Sequence, residues 1–316
     1  MSLKPFISII WCYFNVQVHK ETKMKQIKHL TLLLSLICLV LFIAGCGKKQ
    51  PNEAPQELTV GILSDTFIWK KLVQDAQEKN ISISLKKYPN SNALNKALAA
   101  KEIDIAGSQT ISAFDQSVKE KNLNNLVAVA SSYWAPMGLY SEKYTKITQL
   151  KSGDTIALPK DPTDLGRALV MLNEAKLIKL SKEFDGIGSL DKITSNTKKL
   201  TFDLIDVDTI KTPLKNYEAV ILPNESALKY HLDIYKDALT IEVVVPKPYV
   251  SILATRTDNQ TDKTVRQFIA ISQSKKMIDY VSTHAKNGEQ IVKIPIEGLL
   301  NYHDSYTEKL EQPSGL

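Results

Sequence analysis

Cysteine is scarce in this chain. There are three, Cys12, Cys38 and Cys46, and none lies beyond residue 46. No disulfide can therefore staple the body of the protein, even in a compartment that allows one, and no free thiol remains there for nucleophilic catalysis. Histidine is also thin, with five in all; beyond the first 45 residues stand His231, His284 and His303, none at metal-ligand spacing from another. There is no His-Glu-x-x-His pair, no Gly-x-Ser-x-Gly elbow and no glycine-rich phosphate loop. Together these absences predict neither a metal nor a cofactor and argue against an enzyme. Acid pairs such as Asp206 and Asp208 read as a strand-end turn. The net charge of +6 is carried by short lysine pairs such as Lys70-Lys71 and Lys198-Lys199. No basic stripe interleaved with aromatics appears, so nucleic acid is not expected as a partner. A membrane-spanning run is lacking too: the longest apolar stretch, Leu30 to Ala44, falls short of the ~20 residues a transmembrane helix needs.

That stretch has another meaning. It follows a basic segment, Met24 to His29, and ends in Ile43-Ala44-Gly45-Cys46. A charged start, an apolar core and small residues at the cut form a secretory signal. A cysteine directly after Ala-Gly is the position at which a thiol is lipidated, for instance with palmitate, and becomes the first residue of the exported protein. Residues 1–45 are thus predicted to be a signal peptide, with 1–23 a second preamble consistent with a misassigned start at Met1 rather than Met24. Residues 46–57 form a lipidated tether, polar and proline-bearing. The protein is expected in the cell envelope, anchored through Cys46 to the outer face of the cytoplasmic membrane or to the outer membrane.

The remainder holds 43% hydrophobic residues as a whole-chain average, enough for a core without staples. Strand and helix patterns alternate. Leu58–Leu63 reads as a strand, Phe67–Lys79 as a helix, Ile81–Tyr88 as an alternating strand, Ala93–Lys101 as a helix, and Ile103–Ala106 and Leu126–Ala130 as short buried strands. A second set starts with a strand at Thr155–Leu158. A helix follows, with Asp161 as N-cap, Pro162 in the first position and Asp164 in the first turn. Strands at Leu200–Val207 and Glu218–Leu222 come next. A late strand, Val250–Thr255, can return the chain to the first set, with helices at 263–272 and 275–284 packed there. This order predicts an α/β fold of two lobes with mainly parallel sheets: lobe 1 from 58–139 plus 251–316, and lobe 2 from 140–250. Ligands of open α/β sheets bind beyond the carboxyl ends of the strands. Here those ends are Gly107–Thr110, Pro159–Asp161 and Pro223–Ser226, expected to face each other across a cleft that closes by hinge motion.

Two blocks carry a resemblance. Pro136-Met137-Gly138-Leu139-Tyr140-Ser141 and the run Leu158–Leu169, with its Asp-Pro-Thr-x-x-Gly-Arg-Ala-Leu core, resemble the NlpA/MetQ family of methionine-binding lipoproteins that serve ABC importers. Ala97–Asp104 and Asn224–Leu228 are further echoes, and the likeness runs from Leu58 to about Lys293. The resemblance implies a periplasmic-binding-protein fold, a small carboxylate ligand such as an amino acid or short peptide, and an ABC transporter permease as partner. It also implies that Arg167 clamps the ligand carboxylate, a role that suits a planar guanidinium fork, and that Asn224 meets the ligand's amino or carboxyl group.

Departures from the family are as telling. Its aromatic Asn-Phe-Phe-Gln-His-Ile-Pro-Tyr stretch is Ala106–Ala113 here, its earlier tyrosine falls near Ser91, and its asparagine before Asp-Pro-Thr is Lys160. Aromatic faces contribute about 0.3–1.5 kcal/mol each to a thioether. Their loss, with Ser91, Ser108, Thr110 and Ser112 in place and Lys160 beside Arg167, predicts a more polar and cationic site with altered specificity, unless Trp69, Trp134, Tyr133 or Phe67 refills the space. The alternative expectation is an envelope lipoprotein scaffold with a degraded pocket and no transport role.

Overall fold

The computed structural model describes residues 54–302, apart from 208, 210, 211 and 244–246. The signal peptide, Cys46 and most of the tether, together with Asp208 and His303, lie outside the described residues. The chain divides after Ala54, and the unit from Pro55 onward is the one described below.

The first strands and helices follow the sequence pattern closely. They are β1 (Gln56–Ile62), α1 (Phe67–Gln77), β2 (Ile81–Lys87), α2 (Ser91–Ala99), β3 (Ile105–Thr110), α3 (Ile111–Lys121), β4 (Leu126–Ser131), β5 (Tyr133–Trp134) and β6 (Gly138–Tyr140). Then come β7 (Thr155–Pro159), α4 (Pro162–Glu174), β8 (Lys179–Leu180), β9 (Ile193–Ser195), β10 (Thr201–Ile205), α5 (Pro213–Asn216), β11 (Ala219–Leu222), α6 (Asn224–Lys229) and β12 (Ala238–Ile241). The chain ends its described course with β13 (Ser251–Arg256), α7 (Lys263–Ser272), α8 (Lys275–His284), β14 (Gln290–Ile291) and α9 (Ile296–Leu300).

Two five-stranded sheets organise these elements. One has the order β2-β1-β3-β13-β4 and the other β10-β7-β11-β6-β12. In the first, β1 runs parallel to β2 and β3, while β13 is antiparallel to both β3 and β4. In the second, β7 is parallel to β10 and β11, and β6 is antiparallel to β11 and β12. The expected α/β class is present, and in each sheet four of the five strands run one way, with β13 and β6 the antiparallel members. The chain passes from the first sheet to the second between β4 and β6, and returns between β12 and β13. The late strand takes the place foreseen for it, in the first sheet.

Local chemistry explains the elements. In α1 the buried set is Ile68, Trp69, Leu72, Asp75 and Ala76, the spacing of one helical face. Helix α4 starts as its residues require: the Asp161 carboxylate accepts from the amides of Thr163 at 2.9 Å and Asp164 at 3.1 Å, with Pro162 in the first turn. In α7, Asp262 does the same for Thr264 and Val265. Strand β11 (Ala219, Val220, Ile221 and Leu222) is fully buried, as a strand covered on both faces should be.

One boundary differs instructively from the sequence reading. The stretch 107–110 was expected to lie past the end of a strand at Ile103–Ala106; it is instead the second half of β3, and α3 begins at once after it. The cause is β13, which pairs Ser251 with Thr110 and Ile252 with Gln109 and so extends the strand. Since Ala254 pairs with Ala106, Gly107 and Ser108 both stand opposite Leu253. That is a β-bulge, and Ser108 takes a left-handed φ of 64° to make it. A non-glycine residue there costs about 1 kcal/mol.

Candidate functional site

The carboxyl ends of β1, β3 and β11 carry one hydrogen-bonded group. Ser64, just past β1, donates from Oγ to Oε1 of Glu225 at 2.5 Å. Glu225 lies in the first turn of α6, directly after β11, so this bond joins residues attached to different sheets. Ser108 sits at the β3 bulge, where its Oγ accepts from the indole Nε1 of Trp69 at 2.7 Å. Between them stands Tyr133, on the first crossing between sheets and buried. Burial and the nearby Glu225 charge push the Tyr133 hydroxyl well above the usual phenol range, against the opposing pull of the Ser108 and Ser64 hydroxyls. It therefore stays protonated at any physiological pH and donates. Ser64, Ser108 and Glu225 are half-buried, while Trp69 and Tyr133 form the floor beneath them.

The floor explains a glycine. A Cβ on Gly107 would lie 2.3 Å from Cη2 of Trp69. The far edge of the indole lies against the strand, and only glycine admits it there. Trp69 thus fills the space that any side chain at 107 would take, and it is wholly shielded from solvent.

A second group surrounds Arg167 in the middle of α4. Its Nε lies 3.0 Å from both carboxylate oxygens of Glu242, and Nη2 lies 2.5 Å from Oε2. Nη2 also donates to the carbonyl of Ala135. The Tyr249 ring stands 5.8 Å from the guanidinium. Glu242 Oε2 accepts from the Met137 amide at 3.2 Å. Burial alone would lower the Arg167 pKa; the Glu242 charge and hydrogen bonds outweigh it and hold the pKa above the ordinary value. Arg167 is therefore a fixed cation whose Nε–Nη2 edge is already engaged. Nη1 enters no hydrogen bond among the described residues. Ala135 and Met137 belong to the first crossing between sheets, and Glu242 and Tyr249 to the second, so both crossings meet at this one side chain.

Asn224 is buried beside Glu225. Its Nδ2 donates to the carbonyl of Asn287 at 2.6 Å, and Asn287 reaches in turn to the backbone of Leu232 and Ile234. The remaining residues singled out in the sequence stand elsewhere. Lys160 is mostly exposed and pairs with Asp206 at 3.0 Å. Thr110 caps α3 by accepting from the Ala113 amide at 3.2 Å. Ser91 is the half-buried first residue of α2, capped by the preceding Asn90. No described hydrogen bond joins these three to Arg167. Ser64 and Glu242 escaped the sequence reading, and Glu225 entered it as part of the strand end Pro223–Ser226; Ser64 too sits at a strand end, where the fold class places ligands. Among the described residues no group of histidine, aspartate or glutamate is arranged to hold a metal ion.

Comparison with known proteins follows this geometry. Residues 58–294 match the NlpA lipoprotein family. The D-methionine-binding lipoprotein MetQ of Yersinia pestis is 29% identical over 274 residues, covering 84% of this chain and 97% of that protein. Among solved structures, protein PG110 from Staphylococcus aureus is similar with a TM-score of 0.71 and 28% identity, covering 79% of this chain and 99% of that one. A periplasmic substrate-binding protein of an ABC transporter from Coxiella burnetii is similar with a TM-score of 0.66 and 25% identity, covering 74% of this chain and all of that one. The MetQ and Coxiella burnetii proteins carry the names of binding proteins, in line with the reading that the chain is not an enzyme. With three quarters of its length matched from β1 to the end of the return segment, the chain belongs to the NlpA lipoprotein family.

Proposed function

We propose that this chain is the solute-binding lipoprotein of an ABC importer, lipid-anchored through Cys46, which holds a small carboxylate such as an amino acid between two lobes. On this reading the lobes are 58–139 with 251–316, and 140–250, and the two five-stranded sheets support such a division. The ligand is methionine, as the MetQ name of the relative suggests, or a more polar amino acid. Arg167 supplies the positive end of the site, and Ser108 and Asn224 flank it. Lys160, Thr110 and Ser91 serve, if at all, from the rim.

One observation carries the reading: a buried arginine, fixed by Glu242 and Ala135, at the meeting point of the two crossings. Glu242 orients the guanidinium and neutralises part of its desolvation cost, while Nη1 remains to meet a carboxylate oxygen. This is a one-point contact rather than the two-point fork that the residue type alone suggests. Closure then brings the Glu225 side of one lobe onto the Ser64 and Ser108 side of the other, as in hinge-closing binding proteins. The closed form would dock on a permease.

Equilibrium titration and thermal shift of the intact protein in detergent against L-methionine, D-methionine and the other amino acids test the reading. A ligand at 100 times its Kd stabilises by about 2.7 kcal/mol, which is roughly 5–10 °C for a body of this size. One amino acid giving such a shift, lost in Arg167→Lys protein that is still folded, is the expected result. A flat screen on folded protein stripped of co-purified ligand would overturn it in favour of an envelope scaffold.

A further inference from the structure

Helix α8 packs on the first sheet through Met277 and Val281, yet the turn that follows it is seated on the second. Asn287 is 1% exposed. Its Nδ2 donates to the Leu232 carbonyl and its Oδ1 accepts from the Ile234 amide, both at 3.2 Å. Its own carbonyl accepts from Nδ2 of Asn224 at 2.6 Å. All three partners lie between β11 and β12 of the second sheet, and Ile234 shares an apolar cluster with Val220 and Leu222 of β11. The Asn287 amide donates to Glu289 Oε2 at 3.0 Å, which closes the turn on itself. Gly288 follows with a left-handed φ of 81°; a Cβ there would lie 2.8 Å from the Tyr235 hydroxyl and 3.0 Å from Pro136 Cγ. The chain then runs back along the first crossing. Strand β14 pairs antiparallel with β5, the Val292 amide donates to the Ser132 carbonyl at 2.9 Å, and Ser131 Oγ donates to the Val292 carbonyl at 2.8 Å.

We propose that residues 285–292 are a third connection between the two sheets and the pivot of their relative motion, with Asn287 as the residue that seats it. This deepens the hinge-closing reading above and rests on its two lobes. Two crossings alone leave a pair of bodies free to bend and also to twist. A third attachment, paired alongside the first crossing through β14 and β5, takes the twist away and leaves the bend. The seat holds as the lobes part because both functions of the asparagine amide, the NH2 donor and the oxygen acceptor, meet backbone groups of the second sheet's segment. Unseating them would leave buried donors and acceptors unpaired on both sides, which is the costly way to lose a hydrogen bond. A hinge that twists has more open arrangements, and each of them lowers the closed fraction and with it the apparent affinity for a ligand held between the lobes.

The distance between the sheets tests this directly. No cysteine lies beyond Cys46, so spin labels can be placed by Lys96→Cys in α2 and Thr201→Cys in β10, both exposed. Pulsed dipolar EPR reads the distance in the intact, doubly labelled protein in detergent, with unsubstituted protein as the labelling blank. The otherwise unchanged chain should give narrow distances. Asn287→Ala should broaden the distribution about twofold or more, since bend and twist are then both allowed. Gly288→Val, which cannot keep the left-handed turn, should broaden it in the same way. Lys286→Ala, at the exposed neighbouring position, should leave it unchanged. Folding of each variant is read from its melting curve. If Asn287→Ala fails to fold, Asn287→Asp decides alone, because it keeps the acceptor for Ile234 and loses the donor to Leu232. Equal breadth with and without the substitutions in folded protein would overturn the pivot. So would a shifted mean distance without broadening, the behaviour of a latch that opens. The distances need no ligand, so a flat amino-acid screen would overturn the solute-binding reading and leave the pivot to be judged on breadth alone.

Discussion

Removing Glu242 should test whether Arg167 is the pin of this fold. The Glu242 carboxylate accepts from Arg167 Nε at 3.0 Å on both oxygens, from Nη2 at 2.5 Å and from the Met137 amide at 3.2 Å. Its side chain is 3% exposed, and that of Arg167 is 9% exposed. Glu242→Ala leaves the buried guanidinium without its counter-charge, and the Met137 amide without its acceptor. Truncating one partner of a buried pair costs about 3–5 kcal/mol. For a body of this size each kcal/mol lowers Tm by about 2–4 °C, so a fall of roughly 6–20 °C is expected. Arg167→Met should cost a similar amount, because it strands the carboxylate. The double variant Arg167→Met/Glu242→Leu should be more stable than either single one, since two matched apolar side chains carry no desolvation penalty. A thermal and urea double-mutant cycle reads the coupling directly. Additive singles, each below about 1 kcal/mol, are the behaviour of an exposed pair and would refute the buried pin. The double variant should also lose ligand binding although it is folded, which separates the structural role of the pair from its binding role.

Further consequences follow from other sites. Asp75 bonds Lys71 at 2.5 Å and Lys276 at 2.7 Å, joining α1 to α8. Burial pushes its carboxyl up, but the two ammonium groups outweigh that and hold it below the usual carboxylate value. A depressed folded pKa stabilises above the unfolded value, about 3.9, and that contribution is lost as pH falls through the folded value. Asp75→Asn should therefore lower stability at neutral pH by about 2 kcal/mol and flatten the decline of Tm below about pH 4. Gly166, within α4, should not tolerate alanine. A Cβ there would lie 2.2 Å from the Gly186 carbonyl oxygen and 2.9 Å from the Gly188 amide nitrogen. Glycine to alanine in a helix normally stabilises by about 1 kcal/mol; here a loss of about 3 kcal/mol is expected, and a melting curve gives the sign.

Elements whose instructions are local were legible in the sequence. The alternation of Leu58, Val60 and Ile62 gave β1, and the helices 263–272 and 275–284 fall where their periodicity put them. The Asp161-Pro162 start of α4 carries its own cap. Elements defined by distant partners were not legible. Strand β3 runs on to Thr110 because β13, at Ser251–Arg256, lies against it. Its last residues, Ser108 to Thr110, are polar and read as a loop until that partner is known. Strand β6 has three residues and owes its place to β11 and β12. The antiparallel direction of β13 and β6 is not legible for the same reason, since strand direction is a property of the pairing and not of the segment.

The site divides along the same line, and the division changes what the arginine means. Arg167 stands out from its surrounding motif, but its partner Glu242 is 75 residues further on, with nothing local to announce it. Read alone, Arg167 is a buried cation that should draw any small anion. Paired, it offers its charge only through the edge that Glu242 leaves, so position and shape take over from net charge as the criterion at that end.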